Sequence, residues 1–392
     1  SIGGQLMPPI MGSAAFLVAA FTEVDYTTVA LVSFVPALMY FYSLYTQVHF
    51  RAAKVGIEGL PASELPSFTQ VMREDTRQLQ LPPPLARLIR WGGAPKPEEG
   101  EKVHSGPFAE WGGIVAGLII LVLLPFGFDM PVIDAAFFAI CGTFLFSSPR
   151  MIDTLSQGAI ASLIIGATAG IMGIVLAGVT LPGLALRFPA IMLEFSDGSL
   201  PVMIVLCAVA SYIMGMGMTI TAAYVILAIL AVPALMQLGV PELNAHLMIL
   251  WLSQDSSLTP PFALGAFIAA GIARADPTRT GFAAVMLAKP LYIVPFLMAY
   301  SPILMDPGSE WWDIAIVWAT GFVGFYCLAI GMEGYFRREL SWPERILFLG
   351  AAVLFFFHVW WIKFIAIALL TAGVALQAWL NPDRTATVKA GE

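Results

Sequence analysis

Ile213-Met-Gly-Met-Gly-Met-Thr-Ile-Thr221 and Asp255-Ser-Ser-Leu-Thr-Pro-Pro261 interrupt an otherwise apolar stretch that runs from Met203 to Ala273. The first separates two apolar arms, the second of which ends at Gln237, and the other splits the hydrophobic segment that follows. Proline has no N–H to offer a helix and glycine loosens the chain, so carbonyls at these places lose their helical donors. In a lipid interior such backbone persists only where it lines a cavity or binds something. The stretch is therefore expected to form half of a transport site, a helical hairpin followed by a broken helix.

Composition sets the solvent for the rest of the chain. Hydrophobic residues are 59% of the sequence and charged residues 11%, with a mean hydropathy of +0.83. Most of the chain must therefore be solvated by lipid. Apolar runs of bilayer length recur while the period-2 alternation of an outer-membrane barrel is missing, so the expected class is an all-α polytopic membrane protein. The net charge of −7 says little about partners, because charge on individual loops matters more than the total. Cys141, Cys207 and Cys327 sit in apolar stretches without pairing or metal-ligand spacing and read as packing residues. His49, His104, His246 and His358 are scattered; His49 and His246 fall near expected segment ends, the ordinary place for an interfacial histidine. Zinc chemistry, an organic cofactor and a nucleic-acid partner are not expected.

Working outward, residues 1–50 read as the remnant of a first repeat, a broken helix plus a span. In it, Met7 to Phe21 is the second half of a helix whose first half lies at or before Ser1, and Thr27 to Phe50 spans, with Pro36 a candidate kink. Because the chain opens on Ser1 directly into what resembles the middle of a broken helix, upstream sequence is expected and the chain reads as a C-terminal portion. Residues 51–110 form a mixed-charge cytoplasmic connector with a short surface helix such as Ser67 to Gln80. Residues 111–200 carry membrane spans leading into a second repeat, with spans expected over Trp111 to Phe126, Val132 to Phe146 and Leu155 to Leu176. Residues 201–302 hold the hairpin, the broken helix and a span from Phe282 to Tyr300. Residues 303–392 supply C-terminal helices, Trp311 to Met332, Arg345 to Trp360 and Ile362 to Trp379, and a tail; the last two helices meet near Trp360-Trp-Ile-Lys363, a junction with the character of a membrane interface.

Charge tests this layout, since basic loops stay cytoplasmic. With the Arg51 to Lys102 loop inside, alternate spans bring Arg150, Arg274 with Arg279, Arg337 with Arg338 and Arg345, and Arg384 to that side. Glu23, Asp25, Asp129 and the link from Asp306 to Glu310 fall outside. The agreement requires Met203 to Gln237 to enter and leave the membrane on one side, as a re-entrant hairpin. Leu6-Met-Pro-Pro-Ile10 followed by Gly12-Ser-Ala-Ala-Phe16 also resembles Leu258-Thr-Pro-Pro-Phe262 followed by Gly265-Ala-Phe267, in the opposite membrane sense. Opposed copies of one broken helix are the trace of an inverted repeat with a site at its interface.

Three stretches now carry a family pattern: Gly3-Gly-Gln-Leu-Met-Pro-Pro-Ile-Met-Gly-Ser-Ala-Ala-Phe16, Met214-Gly-Met-Gly-Met-Thr-Ile-Thr-Ala-Ala-Tyr224 and Trp251-Leu-Ser-Gln-Asp-Ser-Ser-Leu-Thr-Pro-Pro261. Together with Gly170-Ile-Met-Gly-Ile-Val-Leu-Ala-Gly-Val-Thr-Leu-Pro-Gly-Leu184, they resemble the large membrane (permease) subunit of a tripartite ATP-independent periplasmic (TRAP) transporter of the TAXI type. The likeness runs from Ser1 to about Pro302. It implies an elevator-type secondary transporter in a bacterial or archaeal cytoplasmic (inner) membrane, importing a small organic acid by symport down an ion gradient, sodium above all. It also implies a periplasmic TAXI-type solute-binding protein and a small TRAP membrane subunit, possible as an upstream fusion, as partners. The chain departs from the family pattern twice: the first hairpin is not present before Gly3, so the first repeat is incomplete, and Gly217-Met-Thr-Ile-Thr221 has no proline near the hairpin tip.

Sodium takes several oxygen ligands, which an interrupted helix supplies as freed carbonyls and nearby hydroxyls. The tip residues Gly215, Gly217, Thr219 and Thr221 and the second break, Ser257, Thr259 and Pro260, are candidates for one cation site; Gly4, Gln5 and Met7 are candidates for its counterpart. For Gly215 and Gly217 the plain alternative is close helix packing, and for Thr219 and Thr221 it is a bond back to their own helix. Asp255, the sole acid of its apolar neighbourhood, would ligand a cation or carry a coupled proton, or else cap the half-helix that follows. The substrate carboxylate would be met by hydroxyls and half-helix N-termini after Pro9 and after Pro261, with Ser13 nearby. Arg187 could bind an anion but reads better as a snorkelling side chain.

Other classes fit less well. There is no HExxH, GxSxG or acid-rich phosphate motif for an enzyme, and an internal inverted repeat suits alternating access better than a channel. An ion-coupled elevator transporter without a binding protein and a structural membrane subunit stay open as alternatives.

Overall fold

The computed structural model describes residues 2–9, 11–57, 132–146, 181–215, 218–260, 263–305 and 308–379, with scattered helical residues within 117–125 and 159–178. The surface helix expected over Ser67 to Gln80 lies outside these residues, as do Gly217 and Pro261, and the spans expected over Trp111 to Phe126 and Leu155 to Leu176 lie largely outside them. Among the described residues all regular structure is helical apart from one isolated antiparallel bridge between Tyr335 and Glu339. Five helical segments there are long and apolar enough to cross a bilayer. The chain is an all-α polytopic membrane protein.

In chain order the helices are α1 (Gly3–Leu6), α2 (Ser13–Thr22), α3 (Tyr26–Val55), α4 (Val132–Phe146), α5 (Leu184–Ser196), α6 (Leu200–Gly215) and α7 (Ile220–Gln237). They continue with α8 (Glu242–Ser253), a 3₁₀ turn (Gln254–Ser257), α9 (Leu264–Ala273), α10 (Pro277–Leu287), α11 (Pro290–Tyr300), α12 (Trp311–Glu333), α13 (Trp342–Phe356) and α14 (Trp360–Trp379). Two compact units divide the chain: Gly59–Gly170, and Ser1–Glu58 with Ile171–Glu392. In the first unit α4 turns a small-residue face, Ala135 and Ala139, inward. Gly142 lies so close to Ile120 that a Cβ would meet its Cδ1 at 2.3 Å.

In the second unit two groups of helices pack around different centres. The first is α3 with α12, α13 and α14. Glycines let these helices approach closely, as small residues do where lipid supplies no hydrophobic drive for association. Gly321 sits against Met39, Gly324 against Phe356 and Gly331 against Leu349. Aromatic edges fill the seam between α3 and α12, with Tyr42 and Phe322 centroids 5.2 Å apart and Phe50 and Tyr326 5.4 Å apart. A buried carboxylate closes the turn into α13: Glu344 takes both guanidinium arms of Arg338 and the Ser341 N–H at 2.7 Å.

The second group has α7 and α8 at its centre, surrounded by α2, α5, α6 and α11. α7 is apolar on every side and buried over most of its length, as expected of a helix enclosed by others. α6 packs along it as the other arm of the hairpin.

Several expectations are corrected. The first break spans Met7 to Gly12, with Gly3–Leu6 helical before it and α2 starting only at Ser13, so Met7 does not begin the second half-helix. α3 runs through Pro36 without ending and stops at Gly56, whose left-handed φ of 75° lets its N–H close on Ala52 and Ala53. The span expected over Phe282 to Tyr300 is two helices, α10 and α11, because Pro290 has no N–H with which to continue the ladder. The last pair joins at Phe357 to Val359, so Trp360 to Lys363 form the first turn of α14, and Lys363 is buried with its Nζ donating to Thr320 Oγ1 at 2.7 Å. His246 is buried rather than solvent-facing: its Nδ1 is 2.9 Å from Tyr224 OH, and the Phe21 ring packs beside it. Cys207 and Cys327 are buried as packing residues, whereas Cys141 is exposed.

Candidate functional site

The paired prolines determine which carbonyls are left without helical donors. Pro260 and Pro261 cannot donate to Ser256 and Ser257, and Pro8 and Pro9 cannot donate to Gly4 and Gln5. One of the four is repaired locally, since Gly12 N–H donates to the Gln5 carbonyl at 2.9 Å. Both breaks are braced from outside by a tyrosine. Tyr26 OH donates to the Pro9 carbonyl at 2.8 Å and Tyr212 OH to the Pro260 carbonyl at 2.9 Å. The half-helices that follow, α2 and α9, are each ten residues long and each end on a left-handed non-glycine residue, Glu23 at φ 54° and Arg274 at φ 51°.

The hairpin tip joins the two breaks. Ser13, the first residue of α2, has its Oγ 2.8 Å from Thr221 Oγ1 in the first turn of α7. On the other side Gly215, the last residue of α6, is pressed against the 3₁₀ turn: a Cβ there would meet Ser256 Cβ at 2.7 Å and Cα at 2.9 Å. Ser13, Thr221, Gly215 and the Ser256 region thus belong to one cluster, although 208 residues separate Ser13 from Thr221. The close-packing alternative for Gly215 is therefore true of it, and that packing is what seats the tip on the second break.

Asp255 is buried. Its Oδ1 accepts from Thr259 Oγ1 and from Tyr292 OH, the latter at 2.5 Å. Among the described residues its Oδ2 accepts no hydrogen bond, which leaves one carboxylate oxygen for a ligand. The capping alternative does not hold, because α9 begins at Leu264 with Ala263 in the N-cap position. Close by, Ser256 Oγ, Gln254 Oε1 and Ser211 Oγ are buried and have no hydrogen-bond partner among the described residues. Ser211 lies one turn before Gly215 on α6, on the face that meets the 3₁₀ turn. Unpaired buried oxygens are costly and call for an explanation such as an ion or a water.

The remaining candidates are less engaged. Thr219 caps α7, its Oγ1 accepting from Ala222 N–H at 3.3 Å, so its side chain serves its own helix. Ser257 Oγ bonds back to the Gln254 carbonyl at 3.3 Å. Gly4 is exposed with open space beside it, and Met7 spends its N–H on Gly3 and its carbonyl on Met11 N–H. Arg187 is exposed. Sequence reasoning missed Tyr292, Tyr212 and Tyr26, since a tyrosine in an apolar helix gives no sign of which carbonyl or carboxylate it reaches. Gln254, Ser256 and Ser211 were within reach of it: two lie inside the break, and the third is the serine one turn before the hairpin tip.

A family model described as Tripartite ATP-independent periplasmic transporter, DctM component, matches residues 1–306. That range takes in both breaks, the hairpin and α11, and ends just before α12. No curated protein matches the chain, and no solved structure does.

Proposed function

Because the chain belongs to the DctM-component family of tripartite ATP-independent periplasmic transporters, we propose that it is the permease of a TAXI-type system, importing a small organic acid across a cytoplasmic membrane by cation symport. The carrying observation is the junction at which the hairpin tip touches both broken segments, through Ser13 with Thr221 and through Gly215 with Ser256. A site shared by two opposed breaks suits alternating access.

In this reading the cation is sodium. Asp255 Oδ2, the Ser256 and Ser257 carbonyls and Ser256 Oγ are its candidate ligands, all oxygens, as a hard cation requires. Thr259 and Tyr292 position Asp255 by holding Oδ1. The half-helix beginning at Ser13 offers N–H dipoles to the carboxylate of the cargo. One sodium moving down 100 mV contributes about 2.3 kcal/mol before its concentration gradient is counted, so two suffice for substantial accumulation. The group formed by α7, α8 and their neighbours would slide as the moving body against α3 with α12 to α14. A periplasmic binding protein delivers the cargo, and a small membrane subunit braces the fixed part.

Uptake by the intact transporter in proteoliposomes, with and without its binding protein and with sodium or potassium outside, tests this. The expected result is uptake that needs both the soluble partner and the sodium gradient. Uptake that proceeds without either would count against it.

A further inference from the structure

We propose that His246 is a positioning residue for uptake: through Tyr224 and Phe21 it holds the hairpin to the first broken helix, and a proton on its ring releases that hold. The proposal rests on the transport reading above. His246 on α8 is buried, and Tyr224 on α7 is 0% exposed. Among the described residues, the 2.9 Å bond between His246 Nδ1 and Tyr224 OH is the one hydrogen bond that either side chain makes. If Nδ1 were its donor, the tyrosine hydroxyl hydrogen would be left buried without an acceptor, a costly state. We therefore assign the hydroxyl as donor and the neutral ring as acceptor, with the ring hydrogen on Nε2.

The pair sits where the hairpin and α2 meet a second time. Ser13, the first residue of α2, bonds Thr221. One turn further along α7, Tyr224 lies against Phe21, the last residue but one of α2, with ring centroids 6.3 Å apart. The Phe21 ring is also 5.8 Å from that of His246. The histidine thus fixes the tyrosine that carries the second contact, and the junction at Ser13 and Thr221 is kept from pivoting about a single hydrogen bond.

A proton changes this cluster in two ways. It turns Nδ1 from acceptor into donor, so the Tyr224 hydroxyl hydrogen loses its partner, and it places a charge among aromatic rings away from water. Among the described residues no carboxylate answers that charge. α7 presents Tyr224 and α2 presents Phe21, the ionisable residues of α6 and α11 make no bond to the ring, and Asp255, past the end of α8, is held by Thr259 and Tyr292. Glu242, one turn before His246 on α8, and Glu23, after the end of α2, are exposed, and no neighbouring charge acts on the ring.

The test is the initial rate of sodium-driven uptake by the intact transporter in proteoliposomes at about pH 8 and about pH 5, either side of the ordinary histidine range. Thermal unfolding of the purified full chain is followed at the same two pH values. The wild type is expected to slow and to melt lower in acid. His246→Asn keeps an amide oxygen for the Tyr224 hydroxyl but has no site for a proton. It should transport within about threefold of the wild type at the higher pH and lose most of the acid response in both measurements. Tyr224→Phe removes the donor; it should be about three- to tenfold slower at the higher pH and be slowed less by acid than the wild type. An acid response in His246→Asn as large as the wild type's, or none in the wild type, overturns the proposal. If His246→Asn does not fold, Tyr224→Phe decides: an acid response smaller than the wild type's supports the proposal and an equal one overturns it. A wild type without sodium-driven uptake at either pH defeats the transport reading, and the proton-sensitive hold is then decided by melting alone, on the same comparison.

Discussion

At the residue scale, the site depends on which oxygens are committed and which are open. Asp255 has Oδ1 held by Thr259 and Tyr292 and Oδ2 open, so two substitutions should behave differently. Asp255→Asn removes the charge a cation would meet and is expected to lower sodium affinity and sodium-dependent uptake at unchanged protein level; unchanged values would take Asp255 out of the site. Tyr292→Phe leaves the carboxylate in place with one donor fewer. It should weaken sodium binding by a smaller factor, about three- to tenfold for one hydrogen bond, measured as the sodium concentration for half-maximal uptake. Gly215 gives a steric test. Gly215→Ala gains about 1 kcal/mol of helix propensity but forces a methyl against the backbone of Ser256, and overpacking of that kind costs about 1–3 kcal/mol. Its melting temperature and uptake should both fall. Gly271→Ala, with nothing within 4 Å of the new methyl, should keep uptake and melt no lower.

At the element scale, the broken segments are braced by side chains from other helices that take some of the carbonyls at the breaks. Tyr212 on α6 and Tyr26 at the start of α3 serve the proline carbonyls, and Gln47 on α3 serves the carbonyl released at the break before α11. Gln47→Leu should therefore destabilise by about 1–3 kcal/mol, the cost of an orphaned buried carbonyl, read from denaturant or thermal unfolding. Thr219 shows the opposite case. Its side chain caps α7, so Thr219→Ala should cost about 1 kcal/mol while leaving sodium affinity within about twofold; a larger loss of affinity would return Thr219 to the cation site.

At the scale of the whole molecule, the prediction concerns what moves against what. The group around α7 and α8 touches α3 through polar contacts, including Gln47 with Leu287 and Lys289. If that seam slides, bridging it should stop transport. In a chain with the exposed Cys141 replaced by serine, Gln47→Cys with Leu287→Cys joined by a mercuric ion is expected to abolish uptake, and excess thiol to restore it. Full uptake in the bridged protein would show that the seam is static and that the elevator description is wrong.

How much was legible beforehand follows from the range of the physics. Apolar run lengths and the near absence of charge determined the membrane class and most of the helices, α3, α4 and α12 within a few residues, because transfer of a span into lipid depends on its own composition. Paired prolines determined where the backbone breaks, because a missing N–H is a local covalent fact. The second break in Pro277–Tyr300 could have been read from Pro290 and was not, since proline is common in membrane helices and only the turned Leu291 N–H distinguishes a break from a bend. Partnership was decided by the tertiary structure alone. Ser13 meets Thr221 across 208 residues and Tyr292 meets Asp255 across 37, and His246 and Lys363 are buried against side chains of other helices. Within lipid every helix surface is about equally apolar, so the choice of neighbours falls to the fit of small residues and to the few polar groups that must find one another, and neither is written in the hydropathy of a single segment.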